Sequence, residues 1–399
     1  MSEFLFMTMD KAENVLLNVL VKEISGCADC FVQTLSLDEL LQMMRLAKEH
    51  AVLGLVADAA MNGRLSVADN SLEERQKAVM TLMQVEMMHK RNYSLFKKAL
   101  TNFASLMSRY KIKHVVFKGV AVARHYPVPY TRTMGDVDFY VPASDFARAV
   151  EVIERELQVE IEKEDIDKHY SFDYQGIRFE MHYQIETFGN AHHQWYFNRM
   201  IDDSIAKGAD SFCIVDTESD VDDVTVSVLP PTEDLIVVFK HWFNHLLVEG
   251  VGLRQTTDLA VLLNAYQDKM DTARLMTALD KIGYMKAFRA MLAMMKKYFG
   301  VAWVDSLCVL NGKDEGYADK LMATVMESGN FGRKAYKYHS TGNKKSFETA
   351  TRALRHCVKF FWLAPLDICC LIPRRIGITL KPHLRAALGC FPLPIRRGE

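Results

Sequence analysis

Near residue 113 the hydrophobic pattern of this chain changes period, and that change constrains the fold more than any other feature of the sequence. Before it, apolar residues recur at helical spacing. "SLDELLQMMRLAKEHA" opens with Ser36 and Glu39 at capping-box separation and places Leu40, Met43, Met44 and Ala47 on one face. A second capping pair, Ser71 and Glu74, begins a stretch that meets no Gly or Pro until Gly119. One long helix or two successive ones are expected there, with Val79, Leu82, Met83 and Val85 to Met88 as apolar positions. The methionines of this region read as core filler.

After residue 113 come "HVVFKG", "DVDFYV", "QVEIEK", "SFDYQG", "IRFEMHY", "FCIV" and "VTVSVL". All are short, rich in β-branched and aromatic residues, and bounded by polar or Gly-containing turns, as strands are. Between the first two, "GVAVARHY" has room for two helical turns. After the second, Ser144 is placed to cap a helix that carries Phe146, Val150 and Ile153 inward. Helices return at "PPTEDLIVVFKHWFNHLLVEG", with Thr232 as N-cap and Gly250 as stop, and run on through "DLAVLLNAY" and "ARLMTALDKIGYMKAFRAMLAMMKKYFG". The expected fold class is α+β. A small mixed sheet (111–230) lies between an N-terminal helical region (1–110) and a C-terminal helical domain (231–345), and a tail (346–399) follows.

With 49% hydrophobic and 25% charged residues over 399 positions, the chain is globular rather than disordered or fibrous. A net charge of -1 and the lack of a basic stripe between residues 113 and 230 make a nucleic-acid partner unlikely. The charge is uneven: residues 344–399 hold eleven Lys/Arg against three Asp/Glu. Two readings fit this tail, a helix docked on the protein with its arginines reaching water, or peripheral membrane contact through residues 352–397. Pro365, Pro373 and Pro382 interrupt the segment too often for one amphipathic helix, which favours docking. The longest apolar run, "FFWLAPLDICCLIP", is broken by Pro365 and Asp367, and "MSEFLFMTMDKAENVLLNVL" places an acid before any base. The expected location is cytoplasmic, with the inner face of the membrane as the alternative. Cys27 and Cys30 form a CxxC without a second pair or a nearby His, so free thiols are expected.

The chemistry concentrates in "FKGVAVARHYPVPYTRTMGDVDFYV", residues 117–141. On a strand, Asp136 and Asp138 project to one face while Val137, Phe139 and Val141 take the other. Two carboxylates so close call for a cation, and Mg²⁺ prefers one or two carboxylates completed by waters and phosphates; solvated aspartates at a strand edge are the plainer alternative. Lys118-Gly119 ends a strand and starts a helix, a layout that aims backbone N–H groups at an anion. Lys118 would add a point charge and Arg132 a forked one. In "IRFEMHY", Arg178, Glu180 and His182 share a face, so Glu180 supplies a third carboxylate. Such a trio suits two-metal phosphoryl or nucleotidyl transfer.

In this order, the Lys-Gly turn, Tyr-Pro, Arg and Asp-x-Asp heading an apolar strand resemble the uncharacterised nucleotidyltransferases, a bacterial branch of the DNA polymerase β-like superfamily. "LAKEHAVLGLVADAA", "FEMHYQI" and "PTEDLIVVFKHWFNHLLVEGVGLRQTTDLAVLL" extend the likeness to roughly residues 36–265. The resemblance implies a Mg- (or Mn-) dependent enzyme that moves an NMP from an NTP to an unknown acceptor and releases pyrophosphate. Asp136, Asp138 and Glu180 would be catalytic and hold the metal, and Lys118 with Gly119 would face the triphosphate. The wider superfamily usually has Gly-Ser at that turn. Arg132 would touch phosphate or position the aspartate loop, a salt bridge to Asp136 being equally open. His241 and His245, one turn apart, would contact nucleotide or acceptor, or sit half-buried between helices. Arg254 and Asp258 can pair with each other, and His182 supports the ligands. The acceptor could be a small molecule, a peptide or a protein. A catalytically inactive nucleotide-binding or scaffold protein, or a metal-dependent phosphotransferase or hydrolase, would use the same fold.

Overall fold

The computed structural model describes residues 9–26, 32–68, 72–163, 169–214, 224–332 and 343–370. Cys27, Cys30 and Ser71 lie outside them. The N-terminal part contains α1 (Lys11–Ser25), β1 (Gln33–Leu35), α2 (Leu37–Glu49), α3 (Leu53–Met61), β2 (Leu65–Val67) and α4 (Leu72–Arg109). The capping box of Ser36 and Glu39 starts α2 as expected. Strands β1 and β2 pair in parallel as a small separate sheet. With no internal Gly or Pro, α4 is a single helix of 38 residues.

The strands expected after residue 113 form: β3 (Val115–Phe117), β4 (Asp136–Tyr140), β5 (Glu162–Lys163), β6 (His169–Tyr174), β7 (Ile177–His182), β8 (Asp210–Ile214) and β9 (Val224–Val228). They make one mixed sheet in the order β5-β6-β7-β4-β3-β9-β8. Helices α5 (Gly119–Ala123), α6 (Ala143–Leu157) and α7 (Ala191–Gly208) connect them. Helices α8 (Pro231–Val248), α9 (Leu253–Tyr266), α10 (Thr272–Lys281), α11 (Met285–Phe299), α12 (Gly312–Ser328) and α13 (Asn343–Lys359) follow. The fold is α+β, with helices on both sides of the sheet.

Strand alternation sorts the two faces. Val116, Val137, Phe139, Phe179 and Met181 pack with Phe96, Phe103 and Met107 of α4 and Val152 and Ile153 of α6. On the other face, Val115, Phe117 and Tyr140 join a second core. That core runs unbroken from Leu16 and Leu20 of α1 to Trp242 and Phe243 of α8 and Met291 of α11, so the two ends of the chain share one interior. The change of period at residue 113 marks a change in secondary structure rather than a gap in packing.

Three local expectations change. Helix α6 is preceded by Pro142, not capped by Ser144, whose hydroxyl turns to Asp145. Helix α8 likewise follows Pro230, and Thr232 sits in its first turn, where its hydroxyl accepts from the Asp271 N–H ahead of α10. In both cases a proline fixes φ before the helix and lets it start earlier than a hydroxyl cap would. The methionines in the first half of α4 are also not core. Met80, Met83, Met87 and Met88 are 51–61% exposed, because Ala78, Leu82, His89 and Phe96 already occupy the buried stripe of the helix.

The tail as far as residue 370 is docked. His356 bonds the Leu246 carbonyl of α8 (2.7 Å), and Cys357, Phe360, Leu363 and Ile368 enter the helical core. The Asp367 carboxylate, which interrupts the apolar run, accepts from the Tyr284 hydroxyl at 2.6 Å and lies 3.7 Å from Lys240 Nζ. Among the described residues no helix is long and apolar enough to cross a membrane. Residues 371–397 of the expected membrane-contact segment lie outside the described residues.

This packing predicts opposite outcomes for neighbouring residues of α4. Leu82→Ala should cost about 2–5 kcal/mol through the cavity it leaves. Met87→Ser should stay within about 0.5 kcal/mol of the parent. Urea denaturation of both variants checks this.

Candidate functional site

Strands β4 and β7 are parallel neighbours, with Asp138 opposite Glu180 and Asp136 opposite Arg178. Their apolar residues go to the α4 side, which leaves Asp136, Asp138, Glu180 and His182 on the other face. Strand β6 adds His169, the antiparallel partner of His182. These side chains line a cleft of ≈ 740 Å³, of the size that holds a small-molecule ligand. His241, Asn244 and His245 of α8 and Arg254 of α9 also line it.

The carboxylates experience opposite fields. Burial raises the Asp136 pKa, and Asp138 and Glu180 beside it raise it further, to about 6. Burial works against ionising Asp138 as well, but the Lys118 ammonium and the bond to His182 outweigh it and hold Asp138 well below the usual carboxylate range. The His182 Nε2 to Asp138 Oδ1 distance is 2.8 Å, and Lys118 Nζ lies 3.6 Å from the same oxygen. Burial disfavours the Lys118 ammonium too, yet the carboxylates around it keep it charged.

The turn holding Lys118 is strained. Lys118 has φ 56° with ψ -145°, a sparsely populated combination that costs a non-glycine residue about 1–3 kcal/mol. Gly119 follows at φ 22°, and a Cβ there would meet the Asp136 carbonyl at 3.1 Å. Glycine is required so that this turn can lie against β4. Helix α5, which follows, has five residues, too few to build an appreciable dipole. The positive charge of this wall is the Lys118 side chain, and it is engaged with carboxylates.

A profile of the family described as uncharacterised nucleotidyltransferase matches residues 38–300, from α2 to the end of α11. The chain belongs to this family. An antigenic nucleotidyltransferase-like protein from Paracoccidioides brasiliensis is a distant structural neighbour, with 11% identity and a TM-score of 0.31 over 51% of this chain and 92% of that one. That likeness is too weak to bear on fold or activity. A search of curated proteins finds no match.

Within this nucleotidyltransferase framework, the structure brings Asp136, Asp138, Glu180, Lys118, Gly119, His241 and His245 to the cleft. Arg132 reaches its edge, but its guanidinium forms a bidentate pair with Asp258 of α9, Nε to Oδ1 and Nη2 to Oδ2 both at 2.7 Å. Both side chains are buried, and the Tyr126 hydroxyl donates to the same carboxylate at 2.7 Å. Among the described residues, neither the salt bridge to Asp136 nor the pair of Arg254 with Asp258 forms. Arg254 instead donates to the Thr133 carbonyl at 3.3 Å, while its buried Nε has no hydrogen-bond partner among the described residues. The cleft cation that forms no salt bridge with them is therefore Arg254, not Arg132.

Glu186 has no motif around it that marks it in the sequence, yet it belongs to the site. It is buried, accepts from Asn244 Nδ2 (2.9 Å), pairs with His241 Nδ1 (3.1 Å) and lies 3.8 Å from Lys118 Nζ. Burial, with Lys118 and His245 nearby, holds the His241 pKa well below its ordinary value despite Glu186, so His241 is a neutral imidazole. His245 pairs with Glu249 at 3.0 Å and packs edge-on to His241.

Two outcomes follow. Arg132→Met should destabilise by about 3–5 kcal/mol, since it strands a buried Asp258, whereas Arg254→Met should leave the melting temperature equal or higher; thermal denaturation distinguishes them. Asp136 carries the second. Its folded pKa of about 6 exceeds the ordinary 3.8, so its contribution to stability is full below about pH 4 and is lost as pH rises through 6. Asp136→Asn should therefore stabilise the metal-free protein at pH 7, by on the order of 2 kcal/mol, and have little effect at pH 4. Urea denaturation at the two pH values checks this.

Proposed function

We propose that this protein is a divalent-metal-dependent nucleotidyltransferase that moves an NMP from an NTP to a small-molecule, peptide or protein acceptor and releases pyrophosphate. The observation that carries this reading is the set of three carboxylates on adjacent strands, lining one cleft with an arginine that forms no salt bridge among the described residues.

The residues fit a hard divalent cation. Asp136, Asp138 and Glu180 offer only oxygen donors, as Mg²⁺ and Mn²⁺ prefer, and burial together with the neighbouring carboxylates raises the Asp136 pKa, as at a place that lacks a compensating cation. A cation bound there would supply Lewis-acid neutralisation of charge on the transferring phosphoryl group. Glu180 is more accessible than Asp138, which supports it as the group that takes the proton from an acceptor hydroxyl. Arg254 presents its guanidinium to phosphate oxygens, where forked donors bind best. Lys118 keeps Asp138 ionised and lies between it and Glu186. His241, held neutral, can accept or donate a single hydrogen bond at the α8 wall without adding charge.

Calorimetric titration of each NTP with Mg²⁺ tests the reading. The parent protein should bind one or more NTPs, and the Asp136→Asn/Asp138→Asn double variant should bind none. Arg254→Ala should weaken binding by about 1.5–3 kcal/mol, the worth of a charge-assisted hydrogen bond, which is roughly tenfold to a hundredfold in Kd. Pyrophosphate release in the presence of an acceptor would establish nucleotidyl transfer. Orthophosphate release would assign phosphotransfer or hydrolysis, and folded protein that binds no NTP would assign a scaffold.

A further inference from the structure

The face that carries Asp136, Asp138 and Glu180 also carries two imidazoles, which an all-oxygen metal site does not use. His169 and His182 are cross-strand partners on β6 and β7, and Glu180 lies two residues before His182 on the same face. The backbone register alone therefore gathers them. His182 Nε2 is 3.6 Å and His169 Nε2 3.7 Å from the same Glu180 oxygen, and one donor atom from each of the three residues lies within 4.8 Å of the others. Asp138 Oδ1 adjoins the trio through His182, 2.8 Å from its Nε2.

We propose that His169, Glu180, His182 and Asp138 form a mixed nitrogen and oxygen centre for a borderline divalent metal of the Zn²⁺, Co²⁺ and Fe²⁺ class. The inference rests on the cation site of the proposed function and amends it, assigning one metal position to a softer ion than Mg²⁺. Metal–ligand bonds of about 2.0–2.2 Å set neighbouring donor atoms roughly 3–3.5 Å apart. The separations from His182 to Asp138 and Glu180, and from His169 to Glu180, fall within a few tenths of an ångström of that interval, and the two imidazole donors, within 4.8 Å of each other, close on the metal by side-chain rotation.

The donor chemistry sets the selectivity. Imidazole suits Zn²⁺, Co²⁺ and Fe²⁺, while Mg²⁺ takes carboxylate, carbonyl and water oxygens. Three adjacent strands hold all four ligands, and His182 is buried between Phe117 and His169. His169 and Glu180 keep 16% and 24% of their side-chain surface exposed, which leaves the metal open toward the cleft. A centre of this kind, closed by protein on one side and open on the other, has the form of a catalytic rather than a purely structural site.

The test is a Co²⁺ titration of the metal-free, full-length protein, followed by visible absorption. One equivalent should bind with the intense bands of nitrogen-ligated Co²⁺, and Zn²⁺ should displace it where a large excess of Mg²⁺ does not. His169→Ala, at a partly exposed position, should weaken Co²⁺ at least tenfold, the least that altering a metal's surroundings usually costs. His182→Asn should do the same, with circular dichroism confirming that it folds. Asp136→Asn, outside the four donors, should change Co²⁺ affinity less than either. The proposal is overturned if Co²⁺ does not bind, if His169→Ala binds it as tightly as the parent, or if Mg²⁺ displaces it at comparable concentration. NTP binding that survives any of those outcomes leaves the nucleotidyltransferase reading standing alone. Loss of NTP binding with the Co²⁺ bands intact does the reverse, supporting the metal centre and removing the nucleotidyltransferase reading.

Discussion

The pair between Arg132 and Asp258 fixes the relation of the sheet to the helices, and the cleft depends on it. Arg132 belongs to the loop that leads into β4, and Asp258 lies one helical turn beyond Arg254 in α9. The two bonds of 2.7 Å hold that loop against the helix, and Tyr126, from the same loop region, binds the same carboxylate. A buried ion pair of this geometry contributes less to net stability than its short bonds suggest, because both charges are desolvated; its main effect is to make alternative docking angles costly. Asp136 and Asp138 are thereby set opposite Arg254.

Consumption of Arg132 by Asp258 determines how charge is distributed in the cleft. Lys118 lies between Asp138 and Glu186, and His241 is neutral beside Glu186. Of the cations in this part of the protein, Arg254 keeps donor capacity. The carboxylate side is correspondingly in excess, which adds to burial in raising the Asp136 pKa and accompanies the strain at Lys118: both are costs of assembling the site.

Family membership and local geometry say different things about this protein. The match over residues 38–300 places the chain among the nucleotidyltransferases. It assigns no acceptor, and the two histidines beside Glu180 are a property of this sheet's register. A cross-strand imidazole pair arises here because β6 and β7 are antiparallel, with His169 directly opposite His182.

The sequence by itself determined the elements and the faces of the strands. The absence of Gly and Pro made the stretch before residue 110 helical without deciding between one helix and two. Periodicity gave the strands of the sheet and the return of helices at residue 231, because burying one face imposes a local spacing of 3.6 or 2 residues. The same alternation put Asp136 with Asp138, and Glu180 with His182. Tertiary structure alone decided the partners. Whether Met87 is core or surface depends on which stripe of α4 meets the other helices. Asp258 takes Arg132 from 126 residues away, and Glu186 meets His241 from 55 away. Arg254 and Asp258 share a helix face, and proximity in sequence suggested a pair that the fold does not make. A charge's partner is set by distance in space and by what burial leaves unsatisfied, and neither quantity is written in the residues adjacent to it.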